Sequence, residues 1–89
     1  MNYEIIFSPR AERQLDKIGR EQRVRILRRI VALEGDPRPH GCIKLRGFDR
    51  LYRIREGEFR IIFKIDDDGL TVTIAKIDRR EKDTYRRMR

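Results

Sequence analysis

Arg53, Arg55 and Arg60 interrupt a segment that otherwise carries an apolar, strand-like pattern, Leu51-Tyr-Arg-Ile-Arg-Glu-Gly-Glu-Phe-Arg-Ile-Ile-Phe-Lys-Ile65. The segment reads as two strands joined at Glu56-Gly57. A tight turn there sets Arg55 opposite Glu58, Ile54 opposite Phe59, Arg53 opposite Arg60 and Tyr52 opposite Ile61. Side chains alternate across a strand, so Tyr52, Ile54, Phe59 and Ile61 share one face and the three arginines the other. Like charges directly opposite in a sheet destabilise it by up to about 1 kcal/mol per pair. An anion seated between Arg53 and Arg60 removes that conflict, and the anion this chemistry suggests is a phosphate.

A second basic group, Arg79 and Arg80, follows the last strand, with Tyr85 further along. Metal-free RNA cleavage requires a deprotonated 2′-hydroxyl, stabilisation of the developing pentavalent phosphate and protonation of the 5′-oxygen. Arginines meet the second requirement, because preorganised cations act on developing charge. They do not meet the first, because a guanidinium stays protonated. Tyr85 can stack on a base or carry a proton, and Glu81, Asp78 and His40 are the other possible proton carriers. Whether the surface binds RNA only or also cleaves it stays open on the residues alone.

Other site types fit less well. With His40 as the one histidine, a two-histidine ribonuclease pair is impossible, and there is no glycine-rich phosphate loop. Asp66-Asp67-Asp68 lacks the remaining positions of a calcium loop and reads as an exposed turn. Cys42 stands alone, which excludes an internal disulfide and a cysteine-based zinc site. Neither a metal nor a cofactor is expected.

The elements that must position the arginines are legible in outline. Tyr3 to Phe7 is β-prone, and Ser8-Pro9 is a helix start with serine as N-cap and proline in the first turn. Ala11, Leu15 and Ile18 give the first helix a narrow apolar stripe up to Gly19. A second helix, about residues 21–34, is expected to bury Val24, Leu27, Ile30, Val31 and Leu33. The prolines of Asp36-Pro-Arg-Pro-His-Gly-Cys42 predict a loop into the sheet. Lys44 and Arg46 follow on a connecting strand, where they either contact an RNA backbone or only solvate the strand. After the arginine hairpin, Leu70 to Ile77 is a further strand, with Phe59, Ile61, Phe63 and Ile65 sharing a face with Leu70, Val72 and Ile74. The tail from Asp78 has helical charge spacing.

Eighty-nine residues make a single domain spanning 1–89, with one core. Charged residues are 43% of the chain, but the periodic apolar residues argue against disorder. The formal charge of +8 favours a polyanionic partner. With no membrane-length apolar run and no signal-like start, the expectation is a soluble cytoplasmic protein.

The order Tyr3-Glu-Ile-Ile-Phe7, Ser8-Pro-Arg-Ala11, Asp36-Pro-Arg-Pro39, Lys44-Leu-Arg-Gly47, Tyr52-Arg-Ile-Arg55, Phe59-Arg-Ile-Ile-Phe63 and Arg79-Arg-Glu81 with Tyr85-Arg86 resembles the RelE/ParE toxin superfamily. More narrowly it resembles the RelE branch of type II toxin–antitoxin modules. The resemblance covers nearly the whole chain. It implies an α+β fold: an N-terminal strand and helical hairpin packed on a small antiparallel sheet, with a short C-terminal helix. It also implies a ribosome-dependent endoribonuclease that cuts mRNA in the ribosomal A site, and a cognate antitoxin as partner. By motif position the catalytic residues would be Arg53, Arg60, Arg80 and Tyr85. Arg55, Lys44, Arg46 and Arg79 would contact RNA. Some ribonuclease members have lysine where this chain has Arg53 and Arg55, so the general base stays open. Two rival readings are a ParE-like inhibitor of DNA gyrase with the same fold, and a non-catalytic RNA-binding module.

Overall fold

A computed structural model of the chain describes residues 2–79. Of the tail expected to be helical from Asp78, Asp78 and Arg79 instead end the last strand, and the rest, with Arg80, Glu81 and Tyr85, lies outside the described residues. Strand β1 (Glu4–Phe7) leads into helices α1 (Pro9–Asp16) and α2 (Arg20–Ala32). A loop then reaches the short β2 (Ile43–Lys44), followed by β3 (Leu51–Glu56), β4 (Phe59–Asp66) and β5 (Thr71–Arg79). The five strands form one sheet in the order β1-β5-β4-β3-β2. It is antiparallel from β2 through β5, as expected, and β1 joins the β5 edge in parallel.

Ser8 starts α1 as its type and position predict. Its Oγ accepts from the Ala11 N–H at 3.0 Å, and its hydroxyl donates to the Ala75 carbonyl at 3.0 Å. Gln14 accepts the Ile77 N–H through Oε1 at 2.7 Å. Helix α1 thus satisfies backbone groups on the part of β5 that β1 does not reach. The helices cover one sheet face, where Ala11, Leu15, Ile26, Ile30 and Leu33 pack on Ile54, Phe59, Ile61, Phe63, Ile65, Val72, Ile74 and Ile77.

The expected stripe of α2 is corrected in part. Ile26 is fully buried beside Ile30 and Leu33, whereas Val24 and Val31 are 40% and 54% exposed. Positions 26, 30 and 33 follow the i, i+4, i+7 spacing of one helix face. Val24, Leu27 and Val31 follow an i, i+3, i+7 spacing one face round, so α2 carries a second apolar stripe, of which Leu27 packs against the core and Val24 and Val31 stay exposed.

The hairpin register is also corrected. Glu56 pairs with Phe59, Arg55 with Arg60, Ile54 with Ile61, Arg53 with Ile62 and Tyr52 with Phe63. The turn is therefore Gly57-Glu58. Gly57 has φ +59°, which suits the first central position of a type II′ hairpin turn. Moving the turn by one residue shifts each pairing by two, so the division into faces survives but the opposed arginines become Arg55 and Arg60.

Candidate functional site: a cationic sheet face

The sheet face turned away from the core holds two cross-strand rows. One runs Ile43, Arg53, Ile62 and Lys76 across β2, β3, β4 and β5. The next runs Arg55, Arg60 and Asp78. Directly opposed residues in an antiparallel pair have Cβ atoms about 5 Å apart, so four cations and one carboxylate share a compact patch.

Lys76 and Asp78 reach this face because β5 is irregular. Ile62 pairs with Lys76 but Phe63 pairs with Ile74, leaving Ala75 as an extra residue. That bulge reverses the alternation of β5. Thr71 and Thr73 face outward before it. Lys76 and Asp78 face outward after it, while Ile77 turns into the core and is 2% exposed. Strict alternation would instead have put Ile77 and Arg79 beside Arg60. Sequence reasoning missed Lys76 as a site residue and treated Asp78 only as a possible proton carrier. The available signal was the three-residue step between Ile74 and Ile77, which an unbroken strand cannot bury on one side.

Arg60 Nε donates to Asp78 Oδ1 at 3.2 Å, and Lys76 Nζ lies 3.2 Å from Asp78 Oδ2. Arg53 has a buried Nε with no hydrogen-bond partner among the described residues. Such a donor costs free energy until an acceptor reaches it. Arg53 and Arg55 line an open depression of about 360 Å³ together with Arg29, Gly41 and Ile43. Arg29, on α2, is a further cation here, absent from the expected site residues. It donates from Nη2 to the Arg55 carbonyl at 3.2 Å, and its Nε lies 3.6 Å from Glu56 Oε1.

The remaining candidates fall elsewhere. Arg79 pairs with Phe59, so it lies on the opposite face from Arg60. Its guanidinium sits 5.2 Å from the Phe59 ring centroid, with Nη1 3.9 Å from Glu58. Lys44 pairs with Tyr52 and so points away from the row that holds Arg53. Lys44 and Arg46 line a larger hollow, about 610 Å³, whose walls all come from residues 44–49. It is the inside of one loop and does not join the arginine rows. His40 is an exposed loop residue.

A separate polar cluster ties the proline loop to the β4–β5 turn. Asp67 accepts from Arg38 Nη1 and Nη2 at 3.2 and 2.8 Å and from the Tyr3 hydroxyl at 2.7 Å. Arg38, followed by Tyr3, holds the Asp67 carboxyl down to about 2. The same bond to Asp67 pushes the Tyr3 phenol up. Asp66 Oδ1 accepts the Asp68 and Gly69 N–H groups, the turn role expected of it. Among the described residues no group of three or more His, Cys, Asp or Glu side chains is placed to hold a metal ion.

The sequence and the fold have counterparts among known proteins. The family described as ParE toxin of type II toxin-antitoxin system, parDE, matches residues 5–84. The chain belongs to the RelE/ParE superfamily of type II toxin–antitoxin toxins. Within it the chain is 33% identical to Toxin RelG of Mycobacterium tuberculosis over 92 residues, covering 98% of this toxin and all of that protein. It is 27% identical to the mRNA interferase toxin RelE of Escherichia coli over 84 residues, covering 92% of this toxin and 87% of the other. Among solved structures, the archaeal RelE–RelB complex of Pyrococcus horikoshii superposes with a TM-score of 0.82 at 26% identity, covering 92% of this toxin and 99% of that chain. This toxin is thus of the RelE family, and its α+β fold is the RelE fold.

Proposed function

We propose that this toxin is an endoribonuclease that cuts mRNA in the ribosomal A site, with the outer face of β3, β4 and β5 holding the scissile phosphate. The observation that carries the reading is the clustering of Arg53, Arg55, Arg60 and Lys76 on one face, with the Arg53 Nε buried and unpartnered. Arg55 and Arg60 directly opposite each other make sense if a phosphate lies between them. Their task is to stabilise charge that develops on the phosphoryl oxygens. An arginine does not take the 2′-proton, so that step needs another group or help from the ribosome. Relatives named as mRNA interferases support the same reading.

The family match carries the ParE description, while the curated relatives are RelE and RelG. The gyrase-inhibitor reading of the ParE branch therefore needs a direct test. The cation rows favour RNA, since binding a protein target does not call for Arg53, Arg55, Arg60 and Lys76 on one sheet face with the Arg53 Nε left unpartnered. The test is primer-extension mapping of a defined message in a cell-free translation reaction, beside a gyrase supercoiling assay. Cuts that require translating ribosomes, with supercoiling unaffected, are the expected result. An intact message with inhibited gyrase would overturn the proposal.

The cognate antitoxin is the second proposed partner, as in the RelB–RelE complexes with this fold. The second stripe of α2 offers it a seat. Val24, Leu27, Val31 and Ala32 with Arg28 form an apolar surface, and Arg20 and Arg25 adjoin it. The partner segment that fits is an amphipathic helix with acidic flanks. Val31→Glu should weaken antitoxin binding at least tenfold in calorimetry while leaving mRNA cleavage intact; unchanged affinity would move the antitoxin elsewhere. A cytoplasmic location belongs to the same proposal, since its target is the translating ribosome.

A further inference from the structure

Asp78 is an acidic group at the end of the Arg55–Arg60 row, on a face otherwise charged by cations. A carboxylate there repels RNA directly, so any benefit it gives must come through the cations it holds. It holds two. One oxygen accepts from Arg60 Nε, and the other faces Lys76 Nζ, each at 3.2 Å. The side chains of Arg60, Asp78 and Lys76 are 31%, 23% and 35% exposed, shielded enough to limit screening by salt. Binding through Nε leaves the two Nη groups of Arg60 available to a second acceptor, and the ammonium of Lys76 has donors beyond the one Asp78 takes.

We propose that Lys76 is a further RNA-phosphate contact of this toxin, and that Asp78 is the positioning residue that aims Lys76 and Arg60 at the substrate backbone. The inference rests on the ribonuclease reading and extends it along β5. Lys76 lies in the same row as Arg53, two strands away, a backbone separation of about 10 Å. That span suits neighbouring phosphates of one RNA strand better than a single phosphate. Arginine and lysine side chains lose much rotamer freedom when they bind an anion, and a carboxylate that has already ordered both reduces that loss. The bulge at Ala75 makes the arrangement possible, because without it neither Lys76 nor Asp78 would face Arg60.

The test uses the full-length toxin and a single-stranded 2′-O-methyl RNA oligonucleotide, which binds but lacks the attacking hydroxyl. Each phosphate contact adds about 0.7 to the slope of log affinity against log salt for a single strand. Lys76→Gln keeps the stem and removes the charge, so it should reduce the slope by about 0.7, and Lys76→Arg should restore it. Asp78→Asn should leave the slope no smaller while turnover on translating ribosomes falls about tenfold, with partial recovery in Asp78→Glu. An unchanged slope in Lys76→Gln, beside a reduced slope in Arg60→Ala, would overturn the Lys76 contact and leave the nuclease reading standing. Faster turnover in Asp78→Asn would make Asp78 a repulsive charge and overturn its positioning role. An unsubstituted toxin with neither salt-dependent binding nor cleavage would overturn the nuclease reading and this subsite together.

Discussion

At the scale of single residues, the side chains divide between two kinds of charge arrangement. Asp67 is satisfied within the fold, with Arg38 and Tyr3 completing its hydrogen bonds. Arg53 keeps an unpartnered buried donor, and Arg55 faces Arg60. The first arrangement serves the fold, and the second is where we propose that an RNA phosphate binds. The Asp67 carboxyl lies near 2 in the folded chain against an ordinary 3.8, so it binds protons less readily folded than unfolded. Its contribution to stability is therefore complete above about pH 4 and disappears as the pH falls through about 2. Tyr3 has the opposite sign: its raised phenol favours the folded state below pH 10, and that support fades at higher pH. Thermal melts of the unsubstituted toxin and Asp67→Asn should differ by a constant interval at neutral pH. The two curves should converge between pH 4 and 2, and an interval that survived at pH 2 would contradict the assignment.

At the scale of elements, the alternation of apolar and charged residues was enough to separate the two faces of the hairpin before any register was known. Tyr52, Ile54, Phe59 and Ile61 turn to the helices and the arginines turn out, because a two-residue change in pairing preserves parity. The register itself was not legible. Glu56-Gly57 and Gly57-Glu58 are both plausible two-residue turns, and what separates them is the positive φ of Gly57 at the first central position. Gly57→Ala should accordingly destabilise the toxin by about 1 kcal/mol, read as a shift in the urea midpoint with an unchanged m-value. A stabilised variant would mean that the turn is not the one described. Ile26 was missed for a different reason. A helix with apolar residues at 24, 26, 27, 30, 31 and 33 offers two overlapping stripes, and only the sheet decides which is buried. The bulge in β5 had the largest consequence, since one extra residue exchanged Arg79 for Lys76 and Asp78 on the site face.

At the scale of the whole molecule, the +8 charge is divided between different tasks. Part of it sits in rows on the outer sheet face, where we propose that RNA binds, and part adjoins the apolar stripe of α2. The exposed stripe of α2 holds Val24 and Val31, while Arg29 of the same helix reaches the depression at Arg53 and Arg55; under the proposal an antitoxin binds through the stripe without first covering the β3–β5 rows. We propose that the outer face, and not the opposite one, handles RNA. Arg60 and Arg79 lie one cross-strand step apart on opposite faces, which makes them matched probes. The most direct measurement is the rate of message cleavage by primer extension in a translating cell-free reaction, for the unsubstituted toxin, Arg60→Ala and Arg79→Ala. Loss of about a hundredfold or more in Arg60→Ala, with Arg79→Ala within about threefold of the unsubstituted rate, is the predicted result. Equal losses, or a larger loss in Arg79→Ala, would contradict it and place the RNA on the other side of the sheet.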